Sequence, residues 1–200
     1  MSREDLQDSI SFKLDKKYSF LVTFHSVTLE KSTAGEQIDE LLKAIDNIKD
    51  CRIIFTKSNS DTDGRIINKR IDEYVKNNSD KSVCFTSLGQ LRYLSALKYV
   101  DCVIGNSSSG LIEVPSFKTA TINIGDRQRG RIFGDSVISC GSNSEDIEKA
   151  IKKSIAIDFK ENVLSVARNP YGEGNSSDII VEVLKKTKLK GILKKQFHDL

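Results

Sequence analysis

Asp101-Cys102-Val103-Ile104-Gly105-Asn106-Ser107-Ser108-Ser109-Gly110-Leu111-Ile112-Glu113-Val114 is the stretch on which the reading of this chain turns. A short apolar run with strand character enters a bend of small and hydroxyl-bearing residues, which leads straight into a segment able to start a helix. That layout is an anion cradle. Small residues let the backbone come close to a ligand, hydroxyls add donors, and the unpaired N–H groups of a helix N-terminus point at the arriving negative group. Ser107, Ser108, Ser109 and Gly110 are therefore candidate phosphate contacts. Glu113, one turn further, sets a carboxylate where it can accept hydrogen bonds from a sugar, as an acidic residue does for ribose in dinucleotide folds. A nucleotide diphosphate fits this arrangement. The same residue types also make plain turns and N-caps, so the surroundings must decide.

Working outward, short β-rich runs alternate with stretches of helical period. Ser19 to Phe24, Arg52 to Thr56, Val83 to Thr86, Cys102 to Ile104, Ala120 to Ile124 and Ser136 to Ser139 read as strands. Helices are expected over Glu36 to Ile48, where Ile38, Leu41, Leu42 and Ile45 share a face, over Arg65 to Val75 and Gln90 to Tyr99, and just after the serine bend. This alternation predicts an α/β fold: a Rossmann-like parallel sheet with helices on both faces. Ligands bind such sheets at the carboxyl ends of the strands, so the loops after the strands are where chemistry belongs. The tail differs. Asn169 to Ser177 is a turn-rich hinge, Asp178 to Leu184 resumes helical period, and the lysine-rich stretch from Lys185 to Lys195 reads as a solvated helix end.

Composition narrows the function classes. Of 200 residues, 38% are apolar and 30% charged, the make-up of an ordinary globular chain with room for a substantial core. The 31 basic residues nearly balance the 28 acidic ones, for a net charge of +3, which argues against a nucleic-acid surface. No run is long and apolar enough to span a membrane, and the first twenty residues lack the core of a signal peptide, so a cytoplasmic protein is expected. Cys51, Cys84, Cys102 and Cys140 stand far apart without metal-ligand spacing, and read as buried free thiols in a reducing compartment.

The strand-end loops hold the remaining candidates. His25 directly follows the first strand, where an imidazole can donate to phosphate or move a proton near neutral pH; a lone histidine there is as readily a structural cap. Arg127 and then Arg131 lie in the glycine-bounded loop Gly125-Asp126-Arg127-Gln128-Arg129-Gly130-Arg131, and guanidinium forks suit diphosphate. Asn59 fits either a ligand contact or a turn, and Leu88 sits in the loop after the third strand. Asp61 and Asp63 lack the further ligands of a calcium loop, so no metal is expected. His198, near the chain end, reads as exposed. A Gly-x-x-x-x-Gly-Lys-Ser/Thr loop is missing, and with it any case for P-loop hydrolysis.

With these residues placed, the chain resembles the C-terminal half of the UDP-N-acetylglucosamine 2-epimerase family, in its hydrolysing branch that makes N-acetylmannosamine for sialic acid. Four stretches carry the likeness: Val22 to Thr28, Asn59-Ser60-Asp61 with Gly64-Arg65, Gly105 to Val114 with the later arginine loop, and Asn169 to Gly174. Ser26 and Ser58 stand where the family commonly has proline. The resemblance implies that Ser107 and Ser108 hold the UDP diphosphate and Glu113 the ribose, that Arg127 also contacts UDP, that Leu88 lines the uracil pocket, and that His25 sits by the diphosphate and sugar. It implies a GT-B enzyme with its active site between two Rossmann-like halves and a terminal helix crossing back to the first. No cofactor is implied. The family reaction expels UDP from C1 with loss of the C2 proton, then adds water to the glycal.

On this reading residues 1–18 are a lead-in, 19–168 a UDP-binding Rossmann-like domain, and 169–200 a hinge and C-terminal helix. The expected partners are UDP or UDP-N-acetylglucosamine and an N-terminal domain of the same enzyme, which in this family supplies the proton-transfer carboxylates. A homo-oligomer stays open. Without that domain the chain is expected to keep its fold and some UDP affinity but not turn over substrate. A relative acting on the UDP-linked diacetamido sugar of legionaminic acid and a non-catalytic nucleotide-sugar module are the competing expectations.

Overall fold

A computed structural model describes residues 1–27, 33–60, 63–172 and 174–194. Thr28, Asp61, Lys195 and His198, named above, and Glu173 within the Asn169–Gly174 stretch lie outside the described residues. The strands β1 (Tyr18–Thr23), β2 (Cys51–Thr56), β3 (Ser82–Phe85), β4 (Cys102–Gly105), β5 (Ala120–Ile124) and β6 (Val137–Cys140) form one six-stranded sheet in the order β3-β2-β1-β4-β5-β6. Every neighbouring pair runs parallel. This is the doubly wound α/β sheet that the strand–helix alternation predicts.

Side chains along each inner strand divide between two cores, because successive residues point to opposite faces. Phe20, Val22 and Phe24, with Ile53, Phe55, Cys102 and Ile104, face one core, which α2 (Ala34–Asp46), α3 (Gly64–Asn77) and α6 (Ser144–Ile155) cover. Leu21, Ile54 and Val103, the residues between them, face a second core under α1 (Arg3–Ile10) and α4 (Gly89–Leu97). Both faces are dry, which explains why these strands read as continuous apolar runs rather than alternating ones.

Two of these helices lie outside the sequence expectation. The segment set apart as a lead-in carries α1, whose Leu6 and Ile10 enter the second core together with Leu14. Ser2 and Asp5 close a reciprocal capping box at its start. Helix α6 is capped by the Asn143 side chain on the Asp146 N–H at 2.9 Å and buries Ile147, Ala150 and Ile151. A one-turn helix, α5 (Ser109–Ile112), follows β4, and α7 (Ile157–Phe159) follows α6. The terminal helix α8 (Ser176–Lys186) buries none of its residues. Ile179, Ile180 and Leu184 on it are all more than half exposed, at 61%, 57% and 59%. Asn169 fastens the hinge before it by donating to the Ile112 carbonyl at 2.8 Å and to Ser116 Oγ at 2.7 Å.

All four cysteines are free, Cys51 and Cys102 buried and Cys84 and Cys140 half-buried. Desolvation pushes the Cys102 and Cys140 thiols up to about 12 and Cys84 to about 11. Among the described residues no helix is long and apolar enough to cross a membrane.

Candidate functional site

The strand order reverses between β1 and β4: β1 leads to one side of the sheet and β4 to the other, so their carboxyl-end loops diverge and leave a crevice. Gly105 brings the two strand ends together. Its φ is +143°, and a Cβ there would lie 1.9 Å from the Thr23 carbonyl oxygen, so only glycine fits. The next residue, Asn106, is 1% exposed. Its Oδ1 accepts from the His25 N–H at 2.8 Å, and its Nδ2 donates to the His25 carbonyl at 2.8 Å. Its own carbonyl accepts from Gln128 Nε2 at 2.7 Å and Arg127 Nη1 at 3.2 Å. One buried residue thus joins the loops after β1, β4 and β5.

The serine bend follows. Ser107, Ser108 and Ser109 are half-buried. Ser108 is the N-cap of α5 but makes no side-chain cap bond. Among the described residues, neither its hydroxyl nor the N–H groups of Ser107 and Ser108 takes a hydrogen-bond partner. Plain capping, the rival reading of this stretch, therefore does not use that hydroxyl. Ser109 Oγ is bound by the Tyr93 hydroxyl, and Ser107 Oγ approaches Ser109 Oγ at 3.4 Å. Burial holds the Tyr93 phenol up at about 12, with the Ser109 bond working against it and the Glu113 charge adding to it. Gly110 packs against Thr121, whose Cγ2 a Cβ would approach to 2.7 Å.

The expected helix after the bend is present and short. The helix after the bend lasts a single turn and passes at Glu113 into a 3₁₀ turn, Val114–Phe117, with Pro115 near its start. A helix this short builds little macrodipole, so any anion held here would be held by local N–H and hydroxyl donors rather than by an axial field.

A cleft of ≈ 370 Å³ opens between the serine bend and the β3–α4 loop, lined by Ser107, Ser109 and Glu113 on one side and by Leu88, Tyr93 and Lys57 on others. Leu88 borders it while being 3% exposed and part of the second core. The Glu113 carboxylate is exposed at its edge. Asn59 borders a neighbouring cleft of ≈ 680 Å³ that shares Lys57 and Thr86 with the first. His25 stands beside Asn59: its Nδ1 accepts from the Asn59 N–H at 3.2 Å and lies 3.3 Å from Ser58 Oγ. A backbone N–H can only donate, so the neutral ring carries its proton on Nε2.

Of the residues named from sequence, the structure gathers Leu88, Ser107, Ser109 and Glu113 around one cleft. His25 and Arg127 reach the serine bend through Asn106 rather than by lining that cleft. Ser108 and Gly110 belong to the bend itself, and Arg131 is exposed further along its loop. Lys57, Thr86, Tyr93 and Asn106 are site residues the sequence reading did not single out. Lys57 and Thr86 directly follow β2 and β3, the one signal that could have found them. Lys57 is paired with Asp72 at 2.8 Å, and that hydrogen bond raises its ammonium above the ordinary lysine value. Among the described residues no group of three His, Cys, Asp or Glu side chains could hold a metal.

Comparison with known proteins follows the same lines. The family model described as UDP-N-acetylglucosamine 2-epimerase matches residues 1–185. A GDP/UDP-N,N'-diacetylbacillosamine 2-epimerase (hydrolyzing) of Campylobacter jejuni is 41% identical over 200 residues, covering 100% of this chain and 51% of that protein. The polysialic acid biosynthesis protein P7 of Escherichia coli is 42% identical over 193 residues, covering 92% of this chain and 47% of that protein. The chain thus spans about half the length of these relatives. Among solved structures, an S. aureus MnaA–UDP co-structure superposes with a TM-score of 0.67 at 17% identity, covering 98% of this chain and 50% of that one, a likeness of fold. By sequence and by architecture, the chain belongs to the UDP-N-acetylglucosamine 2-epimerase family.

Proposed function

We propose that this chain is the nucleotide-binding, C-terminal half of a hydrolysing 2-epimerase that converts UDP-N-acetylglucosamine and water to N-acetylmannosamine and UDP. The observation that carries the reading is the placement of Ser107, Ser109, Glu113 and Leu88 around a single cleft at the switch point of the sheet. The N–H groups and hydroxyls of the bend receive the diphosphate, Glu113 accepts from the ribose hydroxyls, and Leu88 borders the base. Arg127 and the Nε2–H of His25 complete the donor set around the leaving group. In the reaction the C1–O bond to UDP breaks as the C2 proton departs, and water then adds hydroxyl to C1 and a proton to C2 with inversion at C2. Donors fixed around the diphosphate favour the first step because charge accumulates on the departing UDP. The carboxylates that move the C2 proton belong to the other half of the enzyme, and the half-length match to relatives supports that division. That half is also the surface for α8, whose apolar side chains are uncovered. The domain division follows: 19–168 binds UDP, and the segment 169–200 contains the hinge and the crossing helix α8. The protein works in the cytoplasm, where nucleotide sugars are made.

The Campylobacter jejuni relative's name favours a second substrate, a UDP-linked diacetamido sugar, handled by the same half-site. Supplying the chain with an N-terminal half and assaying UDP release from both UDP-sugars tests the function. Release from either, with none from the chain alone, supports the proposal. Turnover by the chain alone, or none after reconstitution, contradicts it.

A further inference from the structure

The backbone ladder between β1 and β4 ends at the pair Thr23–Gly105. Past that point the Asn106 N–H still reaches the Thr23 carbonyl at 3.3 Å, and the next two bonds come from a side chain: Asn106 Oδ1 accepts from the His25 N–H and Asn106 Nδ2 donates to the His25 carbonyl, each at 2.8 Å. A carboxamide on one methylene is the only side chain of this length that offers a donor and an acceptor together, as a passing strand would. Its burial keeps water from competing for either bond. The same residue's carbonyl takes Arg127 Nη1 and Gln128 Nε2. The loop bearing His25 and the loop bearing Arg127 are therefore both referenced to the first residue of the serine bend.

From this we infer that Asn106 is the positioning residue of the site: it extends β1 through His25 and fixes the histidine and Arg127 relative to Ser107–Ser109, without itself meeting the ligand. The geometry stands on its own, while its consequence for nucleotide binding rests on the function proposed above. Aspartate could not replace it, because a carboxylate accepts from the His25 N–H but cannot donate to the His25 carbonyl, and it brings negative charge to a site built for an anion.

The test compares the full chain with Asn106→Ala and Asn106→Asp, reading the His25 amide by hydrogen exchange and UDP affinity by calorimetry. Asn106→Ala should speed exchange of the His25 amide at least about tenfold while amides in β2 and β5 keep their protection. Asn106→Asp, which retains the acceptor, should keep the His25 amide protected yet weaken UDP binding about tenfold or more. Unchanged His25 exchange in a folded Asn106→Ala protein would overturn the inference, as would full UDP affinity in Asn106→Asp. If Asn106→Ala does not fold, the Asp variant still decides, since an unprotected His25 amide there would also overturn it. Absence of UDP binding by the unaltered chain would defeat the functional reading alone, because the exchange comparison judges Asn106 without a ligand.

Discussion

Ser108 and Gly105 show how differently two neighbours in one bend are constrained. Among the described residues the Ser108 hydroxyl has no hydrogen-bond partner, whereas Gly105 sits where a Cβ would meet the Thr23 carbonyl at 1.9 Å. Ser108→Ala should therefore change stability by no more than about 0.5 kcal/mol. The same substitution should weaken UDP binding about three- to tenfold, the worth of one hydrogen bond; thermal melting and calorimetry on one sample check both. Gly105→Ala should cost more than about 3 kcal/mol, read from denaturant unfolding, because β1 and β4 must part to admit a methyl group at a left-handed backbone position. Of these residues, the serines and Glu113 were legible as site candidates because the bend follows a strand's carboxyl end and leads into a helix start; residue type alone would equally have given a plain turn or cap. Asn106 was not. An asparagine in a bend reads as a turn former, and its bond to a histidine 81 positions away exists only in the fold.

Elements were legible where hydrophobic period was strong. The expected β5 coincides with the observed Ala120–Ile124, and the remaining strands and α2 to α4 differ by a residue or two at their ends, where fraying and capping rather than burial set the limit. Helices α1 and α6 escaped because each is dominated by charged residues, yet both carried cap signals: Ser2 with Asp5, and Asn143 before an acidic first turn and a basic last one. Helix α6 is also tied to α2, through Glu40 Oε2 accepting from the Ser144 N–H at 2.6 Å. That bond holds the Glu40 carboxyl below its ordinary value. A lowered carboxylate contributes stability above the unfolded-state value and loses it as pH falls through the lowered one. Thermal melts from pH 7 to pH 3 should therefore show Glu40→Gln less stable than the parent at neutral pH, with the gap closing on the acid side. A gap that widens in acid would contradict this.

At the scale of the molecule, two apolar cores sandwich a parallel sheet whose strand ends open into a crevice at the switch point, while α8 projects an uncovered apolar face. The doubly wound sheet followed from strand–helix alternation alone. The shape of the site did not, because which strand ends become neighbours is set by strand order, and order is invisible to local pattern. Burial raises all four thiols, so iodoacetamide at pH 7.5 should label them only slowly in the folded chain and fully in denaturant; fast labelling of Cys102 would show that the sheet opens. The claim on which the rest depends is that the cleft beside the serine bend holds UDP. Titrating the isotopically labelled chain with UDP and following backbone amides tests it most directly. Saturable shifts concentrated at Ser107, Ser108, Ser109, Glu113 and Leu88 are expected, with the Ser107 and Ser108 amides moving most; no shifts at millimolar UDP, or shifts centred away from the bend, would contradict it.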